Sequence, residues 1–138
     1  MSVVLTKRGE GELKVITETR RLATHTIQIC QNEKVFPKRY RWCVTAKIID
    51  NVVDIAKYVN IANSLRLDDP ESAVLRKNYQ NTALAMTYSL LTLMNIAYEL
   101  FHINGDKMNY WTGLVITVQD LIRGWKKSDR DRVKGWQL

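Results

Sequence analysis

Trp42, Ala46, Ile49, Val53 and Ala56 follow one another at steps of four, three, four and three. That spacing places apolar side chains on one stripe of an α-helix and does not fit a half-buried strand, which needs strict alternation. Ile48, Val52, Ile55 and Val59 form a second stripe beside the first. Together the two cover about half the cylinder, which suits a helix inside a bundle better than a two-stranded coiled coil. Tyr40, Lys47, Asn51 and Tyr58 fall on the opposite face.

The same rhythm organises the rest of the chain. A first helix is expected from about Glu12 to Asn32, with Ile16, Leu22/Ala23, Thr26/Ile27 and Cys30 inward. The polar, glycine-containing residues 1–11 read as a loose N-terminus. Both prolines head periodic segments: Pro37 opens the second helix, which runs to Ser64, and Pro70 opens the third. Asp69 is the expected N-cap of the third helix, with Pro70 at its first position and Glu71 in its first turn. Gly105 breaks the chain again, and Asp106 is the expected cap of the fourth helix, whose core stripe is Trp111, Leu114/Val115, Val118, Leu121/Ile122 and Trp125. Residues 129–138 read as a basic C-terminal tail. The expected fold is all-α, a single domain over residues 1–138 built as an antiparallel up-down-up-down four-helix bundle.

The third helix, from Pro70 to about Phe101, carries Leu75, Tyr79, Ala83, Met86, Leu90, Leu93 and Ala97 on one stripe, while Leu84, Tyr88, Leu91 and Tyr98 lie behind it. A helix apolar nearly all round is buried on more than one side, so the excess points to a homo-oligomer interface. Gly113, Thr117, Asp120 and Gly124 share a stripe of the fourth helix. Two glycines on one helical line, each costing about 1 kcal/mol against alanine, suggest the close approach of another backbone. The oligomer interface is therefore assigned to Leu84, Tyr88, Leu91, Tyr98, Gly113, Thr117 and Gly124. From Asn78 to Tyr98 no residue is charged, but eight of them are Asn, Gln, Ser or Thr. That is too polar for a spanning segment, and no membrane is expected among the partners.

The net charge is +7, a balance that favours anionic partners. Its distribution is more telling. Between Lys34 and Lys47 stand five cations and no acid; from Arg123 to Lys134 stand six against Asp129 and Asp131. Lys38, Arg39, Arg41, Arg123, Lys126, Lys127 and Arg130 are the expected nucleic-acid-binding residues, interleaved with aromatic rings. Trp42, Trp111 and Trp125 fit core stripes, so Tyr40 and Tyr58 are the better candidates for exposed contacts. In an antiparallel bundle the two basic groups lie at opposite ends, which suits a long polyanion, or an oligomer presenting repeated basic rings, better than a small ligand. Cations in the first turn oppose the helix macrodipole, and a bound phosphate would resolve that conflict.

No catalytic constellation stands out. The chain has no Gly-rich phosphate loop, no HExxH and no paired Cys/His spacing. No catalytic residue, metal site or cofactor is assigned. Asp50 and Asp54 read as an ion-paired solvated face with Lys47 and Lys57. Arg20 and His25 form an Arg-x4-His pattern similar to that of HEPN-type ribonucleases, in which the His transfers protons and the Arg stabilises phosphate charge. It defines an alternative reading as a ribonuclease. A structural interaction module is another. Two cysteines without a CxxC, and no apolar run near Met1, read as a reduced cytoplasmic protein.

"FPKRYRW" opening helix two, "YWTGL" opening helix four and "LIRGWKKSDR" closing it resemble small bacterial four-helix-bundle proteins. That family includes proteins encoded in ribosomal-RNA intervening sequences and the accessory variability determinant (Avd) proteins of diversity-generating retroelements. The resemblance spans roughly Leu13 to Arg130. It implies a basic, barrel-like homopentamer that binds RNA or DNA and a reverse transcriptase, supporting mutagenic cDNA synthesis. The basic character it implies carries over to Lys38, Arg39, Arg41, Arg123, Lys126, Lys127 and Arg130.

Overall fold

The computed structural model describes the backbone of residues 3–136 and the side chains of residues 14–136. Residues 1–2 and 137–138, at the ends of the expected loose and tail segments, lie outside the described residues. Four long helices follow one another: α1 (Val3–Gln31), α2 (Ala46–Ser64), α3 (Pro70–Phe101) and α4 (Gly105–Arg132). Each packs against its neighbours in sequence, and α1 closes the ring against α4. Short connections and this pairing make an up-down-up-down four-helix bundle. Helix α1 starts at Val3 rather than near Glu12.

The caps explain the connections. Asp69 accepts a hydrogen bond from the Ser72 N–H at 2.9 Å, with Pro70 in the first turn. This capping holds the Asp69 carboxyl below its usual pKa, chiefly through the Ser72 backbone hydrogen bond. Helix α3 ends on His102, which takes a left-handed conformation at φ 52°. The cap of α4 is Asn104, not Asp106: its Oδ1 accepts from the N–H groups of Asp106 and Lys107 at 2.8 and 3.2 Å. Asp106 instead sits in the first turn, where its charge suits the dipole.

Before α2 the chain makes a 3-10 turn over Lys38–Tyr40 and a π-helical turn over Arg41–Thr45. The buried stripe of α2 is Val44, Ile48, Val52, Ile55 and Val59. The neighbouring stripe lies at the edge, and its expected first member, Trp42, is 79% exposed. Phe36 takes the end of the core in its place. Its ring meets Phe101 and Trp111 edge-on, at 5.2 and 6.0 Å between centroids, a favoured aromatic geometry.

The face of α2 expected to be outermost packs on α3 instead. Asn51 is buried and donates from Nδ2 to Ser89 Oγ at 3.0 Å. Tyr58 stacks on Tyr79 at 6.0 Å, and Tyr40 leans on Phe101 at 5.0 Å. Both tyrosines are half-buried, so neither is a free contact residue. Trp111 is fully buried, and its indole N–H donates to Thr26 Oγ1 at 2.9 Å. Burial also pushes the Cys30 thiol up to about 12, which leaves it a packing residue rather than a nucleophile.

On α3 the buried line is Ala73, Arg76, Gln80, Ala83, Thr87, Leu90, Met94 and Ala97. Leu75, expected inward, is exposed, and Tyr79, Met86 and Leu93 are half-buried. By length and composition α3 is apolar enough to cross a bilayer, against the expectation drawn from its polar residues. In the bundle it is one of four packed helices, with Arg76 and Gln80 turned inward.

The end of α4 is not a tail. Asp129 is buried, and Arg76 grips it with two bonds, Nε to Oδ2 at 2.6 Å and Nη2 to Oδ1 at 3.0 Å. Gln80 Nε2 donates to the same carboxylate at 2.8 Å. Arg76 also donates to the Leu65 carbonyl at 2.9 Å and lies over the Trp125 ring. This network holds the last two turns of α4, and Val133 beyond them is buried.

Candidate nucleic-acid interface

Lys38, Arg39 and Arg41 occupy the turns that lead into α2, and all three are exposed. Pro37 precedes them without a side-chain cap, and the first turn holds no acid. Arg39 lies over the Tyr40 ring at 5.2 Å. Arg41 meets Glu33 only at 4.0 Å, both side chains being largely in solvent, a pair worth little. The start of this helical segment thus presents three cations, while the N–H groups of Tyr40 and Arg41 already donate to the Pro37 and Lys38 carbonyls.

Lys38 and Arg41, but not Arg39, edge a groove of about 340 Å³ between the end of α1 and the π-helical turn. Cys30, Phe36 and Ile49 contribute to its lining, and Lys38, Arg41 and Trp42 share it with Glu33 and Asp50. Thr45 also lines it, and its buried hydroxyl has no partner.

The second basic group sits at the far end of the bundle, about 40 Å away by helical rise. Arg123 is already engaged. Its guanidinium reaches the Tyr88 hydroxyl and lies 3.3 Å from Asp120 Oδ1, so it offers less to an external phosphate than expected. Lys127 is exposed. Lys126 and Arg130 line a second depression, of about 300 Å³, together with Lys77, Gln80 and Asp129. Lys77 escaped the sequence reading. The signal was present, because antiparallel topology sets the start of helix three beside the end of helix four.

A scan against protein-family models, a search of curated proteins and a search of solved structures each return no match. Fold and site therefore rest on this chain's own residues.

The residues assigned to an oligomer interface divide. Leu84 and Leu91 are half-buried against the core of their own chain. Tyr88 and Tyr98 are exposed. Gly113 and Gly124 face outward, and among the described residues no other part of the chain comes within 4 Å of where a Cβ would stand. Thr117, between them, donates its hydroxyl back to the Gly113 carbonyl at 3.0 Å. Among the described residues of this chain no close backbone meets the glycine stripe.

Arg20 and His25 line one shallow depression on α1, with Arg21 and Tyr110. The His25 ring stands edge-on to Tyr110 at 5.0 Å, its Nε2 is buried without a partner, and burial lowers its pKa. Among the described residues no group of three His, Cys, Asp or Glu side chains is placed to hold a metal.

Proposed function

We propose that this protein is a non-catalytic, oligomeric accessory bundle that binds nucleic acid. In this reading it serves the reverse transcriptase of a diversity-generating retroelement. The observation that carries the binding is the uncapped, acid-free helix start bearing Lys38, Arg39 and Arg41. Among the described residues those charges meet one long exposed ion pair and the Arg39–Tyr40 ring contact, whereas a phosphate would meet cations and helix dipole at once. The reverse transcriptase as partner rests on the family resemblance.

Self-association is supported by the outer face of α3. Asn78, Asn81, Ala85, Tyr88, Thr92 and Ile96 run along it, all exposed and none charged. In a chain of which 25% is charged, such a face suits a second copy of the same protein. Light scattering should return a multiple of the 16.0 kDa chain mass, and a monomer across micromolar concentrations would defeat this part of the reading.

Binding is tested by fluorescence anisotropy with labelled RNA and DNA. Affinity should fall steeply between 50 and 200 mM salt, with a log–log slope of about −0.7 per phosphate contacted on a single strand. Absence of binding at 50 mM salt would reject the reading.

A further inference from the structure

We infer that the groove between the end of α1 and the π-helical turn holds one unpaired nucleotide, so that the strand bound is single-stranded. This rests on the nucleic-acid reading above and adds to it which form of nucleic acid is held, and where. Three observations converge on the groove, and the fold accounts for none of them.

The first is Trp42. It is the most exposed of the large apolar side chains described here, at 79%, yet it lines the groove. An indole left in water has a flat face available for stacking, and stacking on a base tolerates any sequence. Bases inside a duplex cannot reach it.

The second is Thr45, which is only 7% exposed. Two of the other buried threonines return their hydroxyls to their own helix, Thr19 to the Val15 carbonyl and Thr87 to the Leu84 carbonyl, each at 2.6 Å. A third, Thr26, accepts from Trp111. Thr45 Oγ1 has no partner. Buried hydroxyls without a partner are uncommon and call for an explanation. Thr45 lines the groove, and a rotation of its side chain would let a sugar hydroxyl or a base edge there supply one.

The third is the charge pattern. Lys38 and Arg41 suit a phosphate, but Glu33 and Asp50 line the same groove. Carboxylates only accept hydrogen bonds, so they repel a free inorganic anion and welcome the amino and imino donors of a base. Cations and acceptors around an aromatic face match a nucleotide better than phosphate alone. The π-helical turn that carries Arg41, Trp42 and Thr45 is of a kind often found at functional sites.

The test uses the full chain and labelled 12-mers, as single strands of RNA and of DNA and as the corresponding duplexes, at 50 mM salt. The wild type should bind single strands more tightly than duplex. Trp42→Ala should weaken single-strand binding about tenfold and leave duplex binding unchanged, while Trp42→Phe keeps most of the affinity. Thr45→Val, which preserves shape, should weaken single-strand binding several-fold with an unchanged melting temperature. RNA losing more than DNA on Thr45→Val would mark the 2′-hydroxyl as its partner; equal losses would mark the base or the phosphate. Tighter binding of duplex, or Trp42→Ala binding single strands like the wild type, overturns the groove assignment while the broader reading stands. No binding of either form overturns both. Trp42 is exposed, so its variants should fold, which circular dichroism verifies.

Discussion

Asp129→Ala should destabilise the bundle by about 3–5 kcal/mol, the usual cost of removing one partner from a buried ion pair. The reason is what the substitution leaves behind. Arg76 is 4% exposed, and it stays charged under all ordinary conditions. Without the carboxylate its guanidinium loses two charge-assisted hydrogen bonds and a buried counter-ion. Gln80 also loses its acceptor. For a chain of this size the melting temperature should drop by about 10 °C or more. In urea the midpoint should fall with the slope unchanged, as for a loss of stability without a change in unfolded compactness. Asp129→Asn, which keeps the shape and an acceptor, should cost less. The double change Arg76→Met with Asp129→Leu should recover much of the loss, because a well-packed apolar pair often equals a buried ionic one. A loss below about 1 kcal/mol for Asp129→Ala would mean that solvent reaches the pair and that the last turns of α4 are not fastened as described.

That network also marks the limit of what the sequence discloses. Asp129 stands among Arg130, Arg132 and Lys127, and locally it reads as one charge of a polar tail. Its partner is 53 residues away, and no periodicity links them. Local chemistry was legible wherever it was sufficient. Asp69 and Pro70 set the start of α3 by capping and backbone restriction alone, and the stripe from Trp111 to Trp125 has one dominant apolar face. Helix α2 has two adjacent stripes, and only its neighbours decide which is buried; Ile48 and Val52 are, Val53 is not. The π-helical turn is a choice of hydrogen-bond register that no residue type dictates, and with it went the position of Trp42. Asn51 and Tyr58 look like surface residues until α3 is laid against them. The basic residues at the head of α2 were readable as charge, whereas the groove beside them needs Cys30 at the end of α1 and Ile49 and Asp50 of α2, which only the packing of the two helices brings together.

The substitution set Lys38→Glu, Arg39→Glu and Arg41→Glu should separate binding from stability, because the two respond with different signs. Each of the three stands at the positive end of a helix, where a cation is unfavourable and an anion favourable by about 0.3–1 kcal/mol. Against that gain stand the weak Arg41–Glu33 pair and the Arg39–Tyr40 contact, the latter worth about 0.5–1 kcal/mol. Folding stability should therefore be unchanged or higher by up to about 1 kcal/mol. Affinity should move the other way. Three phosphate contacts account for a slope of about 2 in log affinity against log salt on a single strand, and reversal adds repulsion to their loss. A fall of about 100-fold at 100 mM salt follows, with a flatter salt dependence for whatever binding remains. Reversing Arg123 alone should do much less, since Asp120 and Tyr88 already hold it. If the triple variant binds like the wild type, the head of α2 is not the interface. If instead it melts well below the wild type, its cations stabilise the fold, and the conflict with the helix dipole has an intramolecular answer rather than a bound phosphate.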